Sequence, residues 1–150
     1  MVKINKQGCR GKYGNAKTGI FKPINREKYL SFETPIYKSK LELLFMRYLD
    51  KSNNVKWWKY EPNHILYMDH SSNPPQKRKY FIDFIFATNT NPEQIYWVEI
   101  KPYSESVPPK TKNPRDMKIW IKNQCKWKAA KILAESKGIK FKVLTEKELK

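Results

Sequence analysis

The spacing of apolar positions along this chain predicts two helices. Apolar residues recur at helical spacing over residues 37–50, where Ser39 suits an N-cap and Glu42 follows three positions later, as in a capping box. A longer helical pattern covers residues 115–137, and Gly138 follows it where a C-cap belongs. The predicted apolar face of this second helix consists of Ile121, Cys125, Ala129 and Ile132.

Strand patterns fill most of the remaining chain. β-Branched and aromatic residues predict strands over 56–67 (interrupted by Pro62), 79–87 and 94–101, and another over 139–144. The resulting order is αβββαβ. It predicts an α/β (α+β) fold, with a small mixed β-sheet flanked by helices.

Polar residues break two of these apolar strands. Asp83 interrupts the strand over 79–87, and Glu99 and Lys101 interrupt the next one. Because side chains alternate along a strand, Glu99 and Lys101 share a face. If the intervening turn is symmetric about Asn91, position 83 lies opposite position 99, with Cβ atoms about 5 Å apart.

Two facing carboxylates need a compensating group. They repel each other, and burial adds a desolvation cost. A divalent cation would offset both, and Mg²⁺ prefers carboxylate oxygens. Lys101 would then activate the attacking water or stabilise charge on a phosphate. The alternative is a solvated hairpin in which Lys101 pairs with Glu99. Glu42 is either a capping partner of Ser39 or a third carboxylate at the same place.

The composition indicates a folded, basic domain. The 150 residues are 39% hydrophobic and 14% aromatic, which argues against disorder. There are 31 lysines and arginines against 14 acidic residues, a net charge of +17 that favours a polyanionic partner. No apolar stretch is long enough for a membrane span or signal peptide, and Cys9 and Cys125 suggest neither a disulfide framework nor a zinc motif.

The charge is concentrated at the two ends of the chain. Residues 1–35 are predicted to form a basic arm or irregular wrap, and residues 36–150 the folded domain. On the second helix and the proline-rich segment before it, the candidate nucleic-acid contacts are Lys110, Lys112, Lys122, Asn123, Lys126 and Lys128. The alternative for these lysines is an ordinary solvated surface. The five tryptophans either stack on unpaired bases or pack in the core.

The set Glu42, Asp83 and Glu99-Ile100-Lys101 resembles the PD-(D/E)XK nuclease superfamily, although Ile82 stands where the motif has proline. Most of the chain is also similar to the tailed-phage head-completion protein family, and its ExK core is similar to the TnsA nuclease domain. The matching stretches are 21–29 (FKPINREKY), 36–42 (IYKSKLE), 78–84 (RKYFIDF), 98–102 (VEIKP), 123–130 (NQCKWKAA) and 138–146 (GIKFKVLTE).

This resemblance implies a metal-dependent DNA endonuclease that acts after DNA packaging and before tail attachment. Asp83 and Glu99 would bind Mg²⁺, with Mn²⁺ as a substitute; Glu42 would complete the metal or water shell, and Lys101 would sit at the attacking water. The implied partners are double-stranded DNA and portal, head or neck proteins. We expect the protein in the virion or the infected host cytoplasm, not secreted and not on a membrane.

Two other functions fit the same residues. One is a non-catalytic DNA-binding virion protein that closes the portal on a degenerate nuclease fold. The other is a junction-resolving or transposition nuclease, because such enzymes share this core. The oligomeric state stays open.

Overall fold

Two helices and eight strands are formed by residues 18–149, the part of the chain that this computed structural model describes. They are β1 (Gly19–Ile20), β2 (Ile36–Tyr37), α1 (Lys40–Lys51), β3 (Val55–Tyr60), β4 (His64–Asp69), β5 (Gln76–Phe81), β6 (Phe84–Thr88), β7 (Ile95–Ile100), α2 (Pro114–Ser136) and β8 (Lys140–Leu144). Short 3₁₀ turns occur at Arg26–Lys28 and Tyr103–Glu105. Neither helix in this part of the chain is long and apolar enough to cross a bilayer.

The central sheet has four strands in the order β3-β6-β7-β8. The pairs β3–β6 and β6–β7 are antiparallel, while β7 and β8 are parallel and are joined through α2. A parallel pair requires such a crossover. Read along the chain, the core elements are α1, β3, β6, β7, α2 and β8, which confirms the predicted αβββαβ order and the small mixed sheet.

A two-stranded hairpin, β4–β5, is inserted into this core. The single strand predicted over 79–87 is wrong: β5 pairs with β4, whereas β6 joins the central sheet. The chain leaves the central sheet after Tyr60 and returns at Phe84, and these two residues are paired. Apolar residues continue on both sides of Asp83 from residue 80 to residue 86, so the pattern does not show that the strand changes its partner there.

Helix α1 covers one face of the sheet. Ser39 is its N-cap, and its Oγ accepts the Glu42 N–H at 3.0 Å. The buried side chains Phe45, Met46 and Leu49 join a core cluster with residues of the sheet. The helix begins later than predicted because Tyr37 pairs with Gly19 in a small β1–β2 ladder.

Helix α2 packs against β4 and β8. Its predicted apolar face is right in part: Cys125 and Ala129 pack against a core cluster, whereas Ile121 and Ile132 are 39% and 60% exposed. The buried positions are Asn123, Ala130 and Ala134. Alanines at the contact let the helix approach closely, and this overrides the pattern of larger apolar residues. The helix ends as predicted, with Gly138 at φ 70°.

The segment before α1 wraps onto the core. The Asp50 carboxylate accepts the backbone N–H groups of Ile24 and Asn25 at 3.0 and 2.9 Å. The Leu30 N–H donates to the Trp58 carbonyl, and the Tyr29 ring lies 4.6 Å from the Trp58 ring. Residues 1–17 of the predicted basic arm lie outside the described part of the chain, and the boundary at residue 35 stays a prediction.

Candidate active site

Asp83 lies where the chain enters the central sheet. The β6–β7 register pairs Phe84 with Val98 and Ile85 with Trp97, which confirms the predicted symmetry about Asn91. Asp83 precedes Phe84 and Glu99 follows Val98. The two acidic residues therefore take the next positions after this pair on the two neighbouring strands. The Asp83 Oδ2 accepts the Ile100 N–H at 2.9 Å, and this bond orients the carboxylate.

Glu99 and Lys101 stand at the end of β7, an inner strand held by β6 and β8. They are 4% and 8% exposed, and the Lys101 Nζ lies 3.7 Å from the Glu99 Oε1. The Lys101 N–H also donates to the Leu144 carbonyl of β8 at 3.0 Å. The sheet therefore buries both side chains at its inner position, which excludes the solvated hairpin as their setting.

Tyr80 contacts this pair from the inserted hairpin. Its hydroxyl donates to the Glu99 Oε2 at 2.7 Å, and Tyr80 is 3% exposed. The pattern of the chain places Tyr80 in an apolar strand, and nothing in it links Tyr80 to Glu99. The link depends on the hairpin folding back toward β7, so no local spacing rule could have found it.

Glu42 takes part in the helix cap, and its charge acts on the same tyrosine as the charge of Asp83. Its Oε2 accepts the Lys38 N–H at 2.6 Å, and the side chain is buried. Burial raises the pKa of Tyr60, as do the carboxylates of Glu61, Glu42 and Asp83. The charges of Glu42 and Asp83 therefore both act on the phenol of Tyr60.

The donor set at this place suits a hard divalent cation. Asp83 and Glu99 offer carboxylate oxygens, which Mg²⁺ prefers, and one or two carboxylates are its usual protein ligands. Within residues 18–149, no group of three or more His, Cys, Asp or Glu side chains is arranged to hold a metal ion by itself. The residues present thus fit an ion that is also coordinated by water and substrate phosphate.

Three of the candidate nucleic-acid contacts lie on the inner side of α2. The Lys126 Nζ is 5.5 Å from the centre of the Tyr80 ring, which brings it near Glu99. The Lys122 Nζ lies 3.8 Å from the Asp69 Oδ2, and Asn123 is 6% exposed. Lys122 and Lys126 therefore both face the inserted hairpin.

The other candidates are more dispersed. Lys110 lines a cleft together with Asn123, whereas Lys112 is exposed and outside that cleft. Lys128 is exposed and lines a different groove with Cys125 and Met68. The structure thus brings Lys110 and Lys126 toward Asn123 and leaves Lys112 and Lys128 apart from it.

The tryptophans separate into two groups. Trp58 and Trp97 are core residues, 0% and 8% exposed. Trp127 packs beside the second core cluster. Trp120 lines the same cleft as Lys110, and the Trp57 Nε1 donates to Glu93 at 3.2 Å near the far end of β3. Trp57, Trp120 and Trp127 are thus partly exposed, and of these three Trp120 alone lines that cleft.

A four-stranded mixed sheet that buries Asp83, Glu99 and Lys101 defines a nuclease-type core. Residues 52–146 match the family described as TnsA-like endonuclease N terminal, and the chain belongs to this endonuclease family. The chain is also 34% identical over 146 residues to the head completion nuclease of Enterobacteria phage T4. That alignment covers 90% of this chain and 95% of the phage T4 protein. The expected resemblances to the TnsA nuclease domain and to the phage head-completion proteins are confirmed.

Proposed function

We propose that this protein is a Mg²⁺-dependent endodeoxyribonuclease that hydrolyses phosphodiester bonds of double-stranded DNA. The observation that carries the proposal is the burial of Asp83, Glu99 and Lys101 at one end of the neighbouring strands β6 and β7. The Ile100 N–H donates to the Asp83 carboxylate there. Buried acids and a buried lysine are costly unless they are paired, hydrogen-bonded or bound to a ligand, and such groups cluster at functional sites. Membership of an endonuclease family supports the same assignment.

Asp83 and Glu99 would hold the metal ion, and Glu42 would complete its water shell. When bound, Mg²⁺ (or Mn²⁺ in its place) would supply positive charge to the scissile phosphate and acidify a bound water. The protein's own contribution is orientation. The Ile100 N–H and the Tyr80 hydroxyl each hold one oxygen of a carboxylate, so the opposite oxygens are directed consistently.

Lys101 would act on the attacking water and the phosphate. Its ammonium group lies 3.7 Å from Glu99, in a buried setting where a positive charge acts strongly on nearby groups. Water would add to phosphorus and lose a proton to solvent, the bond from phosphorus to one ester oxygen would break, and that oxygen would take up a proton from solvent and leave as a hydroxyl group. Lys101 would stabilise the negative charge that grows on the phosphate oxygens.

The remaining basic residues would supply affinity without sequence reading. The net charge of +17 favours phosphate contacts, which are insensitive to base sequence. Lys126 lies over the ring of Tyr80, whose hydroxyl binds Glu99, so it is a cationic side chain of α2 linked to the candidate site. Binding should therefore weaken steeply as salt increases.

The biological setting would be the completion of phage heads. Support comes from the phage T4 relative, whose name describes a head completion nuclease. In that role the protein would meet packaged DNA together with portal, head or neck proteins, in the virion or in the infected cell. The cut would be made after packaging and before tail attachment.

Cleavage assays test the enzymatic part. Linear, supercoiled and branched DNA are incubated with Mg²⁺ or Mn²⁺ and with wild type, Asp83→Asn or Lys101→Ala. We expect cutting by wild type and a loss of about a hundredfold or more in each variant. Glu93→Gln, which changes an exposed acid paired with Lys56, is the matched control. Equal cutting by all variants, or no cutting by wild type with either metal, would overturn the proposal.

Tail joining tests the biological part. Packaged heads that lack this protein are supplied with wild type or with Lys101→Ala, and heads that accept tails are counted. Restoration by wild type alone supports a catalytic role in head completion. Equal restoration by Lys101→Ala would favour a structural protein that closes the portal, and branched DNA cut much faster than linear DNA would favour junction resolution.

A further inference from the structure

A cleft of about 260 Å³ opens between the start of α2 and the segment that follows Lys101. Its walls come from residues 104–111 on one side and 116–123 on the other. They include Glu105, Val107, Lys110, Asp116, Trp120 and Asn123. This volume is far too small for a double helix, so any part of a DNA substrate inside it must be unpaired.

The polar groups of this cleft are suited to an uncharged donor. The Glu105 Oε2 is buried and has no hydrogen-bond partner in residues 18–149. A second carboxylate, that of Asp116, accepts the Thr111 hydroxyl at 2.9 Å. Two carboxylates repel phosphate, so the occupant must bring N–H groups and no negative charge into the cleft.

The cleft also offers a flat aromatic wall and a cation. Trp120 is half-buried there, with its ring 6.2 Å from that of Trp127 in an edge-to-face arrangement. Val107 and Ile119 add apolar surface, and Lys110 is an exposed cation among the lining residues. A planar group with N–H donors on its edge and a phosphate attached behind it matches this combination, and a nucleotide has that chemistry.

The cleft is connected to the candidate active site in two ways. Residue 104 follows Lys101 by three positions, and the Tyr103 N–H donates to the Glu146 Oε2 at 2.7 Å, which anchors the segment. On α2, Asn123 in the cleft precedes Lys126 by one helical turn, and Lys126 lies over Tyr80. A base held in the cleft would therefore place its own strand beside Glu99 and Lys101.

We propose that this cleft binds one unpaired nucleobase of the DNA substrate, stacked on Trp120 and bound at its amino edge by Glu105. The inference rests on the proposed nuclease function and specifies its substrate class: DNA with unpaired nucleotides at an end or branch. Bases with an exocyclic amino group, such as cytosine, fit the carboxylate better than thymine, which has none.

Equilibrium binding without metal tests this assignment apart from cleavage. Labelled duplexes with a cytosine overhang, a thymine overhang or a blunt end are titrated with wild type in EDTA. Wild type is expected to prefer the cytosine overhang. Trp120→Ala should lower the ratio of overhang affinity to blunt-end affinity about tenfold, since stacking on an aromatic side chain contributes on that scale. Trp57→Ala, which removes a partly exposed tryptophan outside the cleft, should leave this ratio unchanged.

A second variant keeps the test decisive if Trp120→Ala fails to fold. Glu105→Gln should retain overhang binding and reduce the preference for cytosine over thymine. Equal binding of blunt and overhanging DNA by wild type would overturn the assignment, as would equal effects of the two tryptophan variants. If the protein cuts DNA but does not prefer overhangs, the base-binding proposal is wrong and the nuclease proposal stands. If it prefers overhangs but does not cut, the nuclease proposal is wrong and the base-binding proposal stands.

Discussion

Asp69 and the pair Asp83 and Glu99 are buried acidic groups in opposite electrostatic settings. Asp69, at the end of β4, is 0% exposed and accepts the Ser71 N–H at 2.9 Å and the Arg78 Nε at 2.8 Å. The Lys122 Nζ lies 3.8 Å away. Burial raises its pKa, but the hydrogen bonds of Ser71 and Arg78 and the charge of Lys122 together lower it to about 2.

The candidate active site has the reverse balance of charges. There, the buried Glu99 carboxylate lies 3.7 Å from the buried Lys101 ammonium group, and the buried carboxylate of Asp83 binds the N–H of Ile100, the residue between them. Two cations beside one acid stabilise a fold, whereas several acids beside one cation cost stability until a cation binds. The comparison teaches that burial alone does not identify a site, because the sign of the surrounding charge separates structural acids from functional ones.

The largest effect that separates the two regions should follow Glu99→Gln. The amide can still accept the Tyr80 hydroxyl, so the free energy of unfolding should change by less than about 1 kcal/mol, while cleavage falls about a hundredfold or more. Single-turnover cleavage and urea unfolding measure the two quantities. The distinction between the two regions would be reversed if Glu99→Gln left cleavage intact and lowered the free energy of unfolding as much as an Asp69 variant does.

Asp69→Asn should show the opposite profile. Losing charge-assisted hydrogen bonds lowers the free energy of unfolding by about 2 kcal/mol, and cleavage by the folded protein stays near the wild-type rate. Urea unfolding at neutral pH, with Glu93→Gln as an exposed control, checks the stability. A strong loss of cleavage below the unfolding transition would count against a structural role.

The pH dependence of this variant sharpens the same point. The folded pKa of Asp69 is about 2, below its ordinary value of 3.8, so its contribution to stability is complete above about pH 4. It is lost as pH falls from there toward 2, because protonation then removes the charge in both states. The difference in unfolding free energy between wild type and Asp69→Asn should shrink over that interval. A constant difference would contradict this origin.

Tyr80→Phe should have an intermediate effect. Removing the hydroxyl that orients Glu99 is expected to lower cleavage about tenfold and to raise the Mg²⁺ concentration needed for half-maximal rate. Tyr67→Phe is the matched control, since Tyr67 is a buried tyrosine of the same hairpin whose ring meets that of Tyr80. Equal metal requirements in the two variants would mean that Tyr80 only packs.

Lys122→Ala should have the smallest effect. Its pair with Asp69 is long and its side chain is 37% exposed, so the free energy of unfolding should fall by about 0.5 kcal/mol. If Lys122 also meets a phosphate, the salt dependence of DNA binding should weaken by about one charge. Lys128→Ala, on the other groove, provides the comparison. An unchanged salt slope for Lys122→Ala would leave it a structural partner of Asp69.

Features that depend on neighbours along the chain could be predicted well. The Ser39 cap, the extent of α2 and the register of β6 against β7 all follow from local spacing and turn symmetry. The break between β5 and β6 could not be predicted, because apolar residues continue across it while the hydrogen-bond partner of the strand changes. The apolar pattern did not identify Ala130 and Ala134 as buried positions of α2. These small residues allow close packing that larger residues prevent.

By itself, the sequence determined the chemical types of the site and their placement on facing positions, since alternation and a symmetric turn are local properties. Tertiary structure alone decided which groups surround them. It brought Tyr80 to Glu99 through the inserted hairpin, set Lys126 beside that ring, and opened the cleft around Trp120. Those contacts join segments distant in the chain, and the packing of α2 against β4 and β8 determines which of them form.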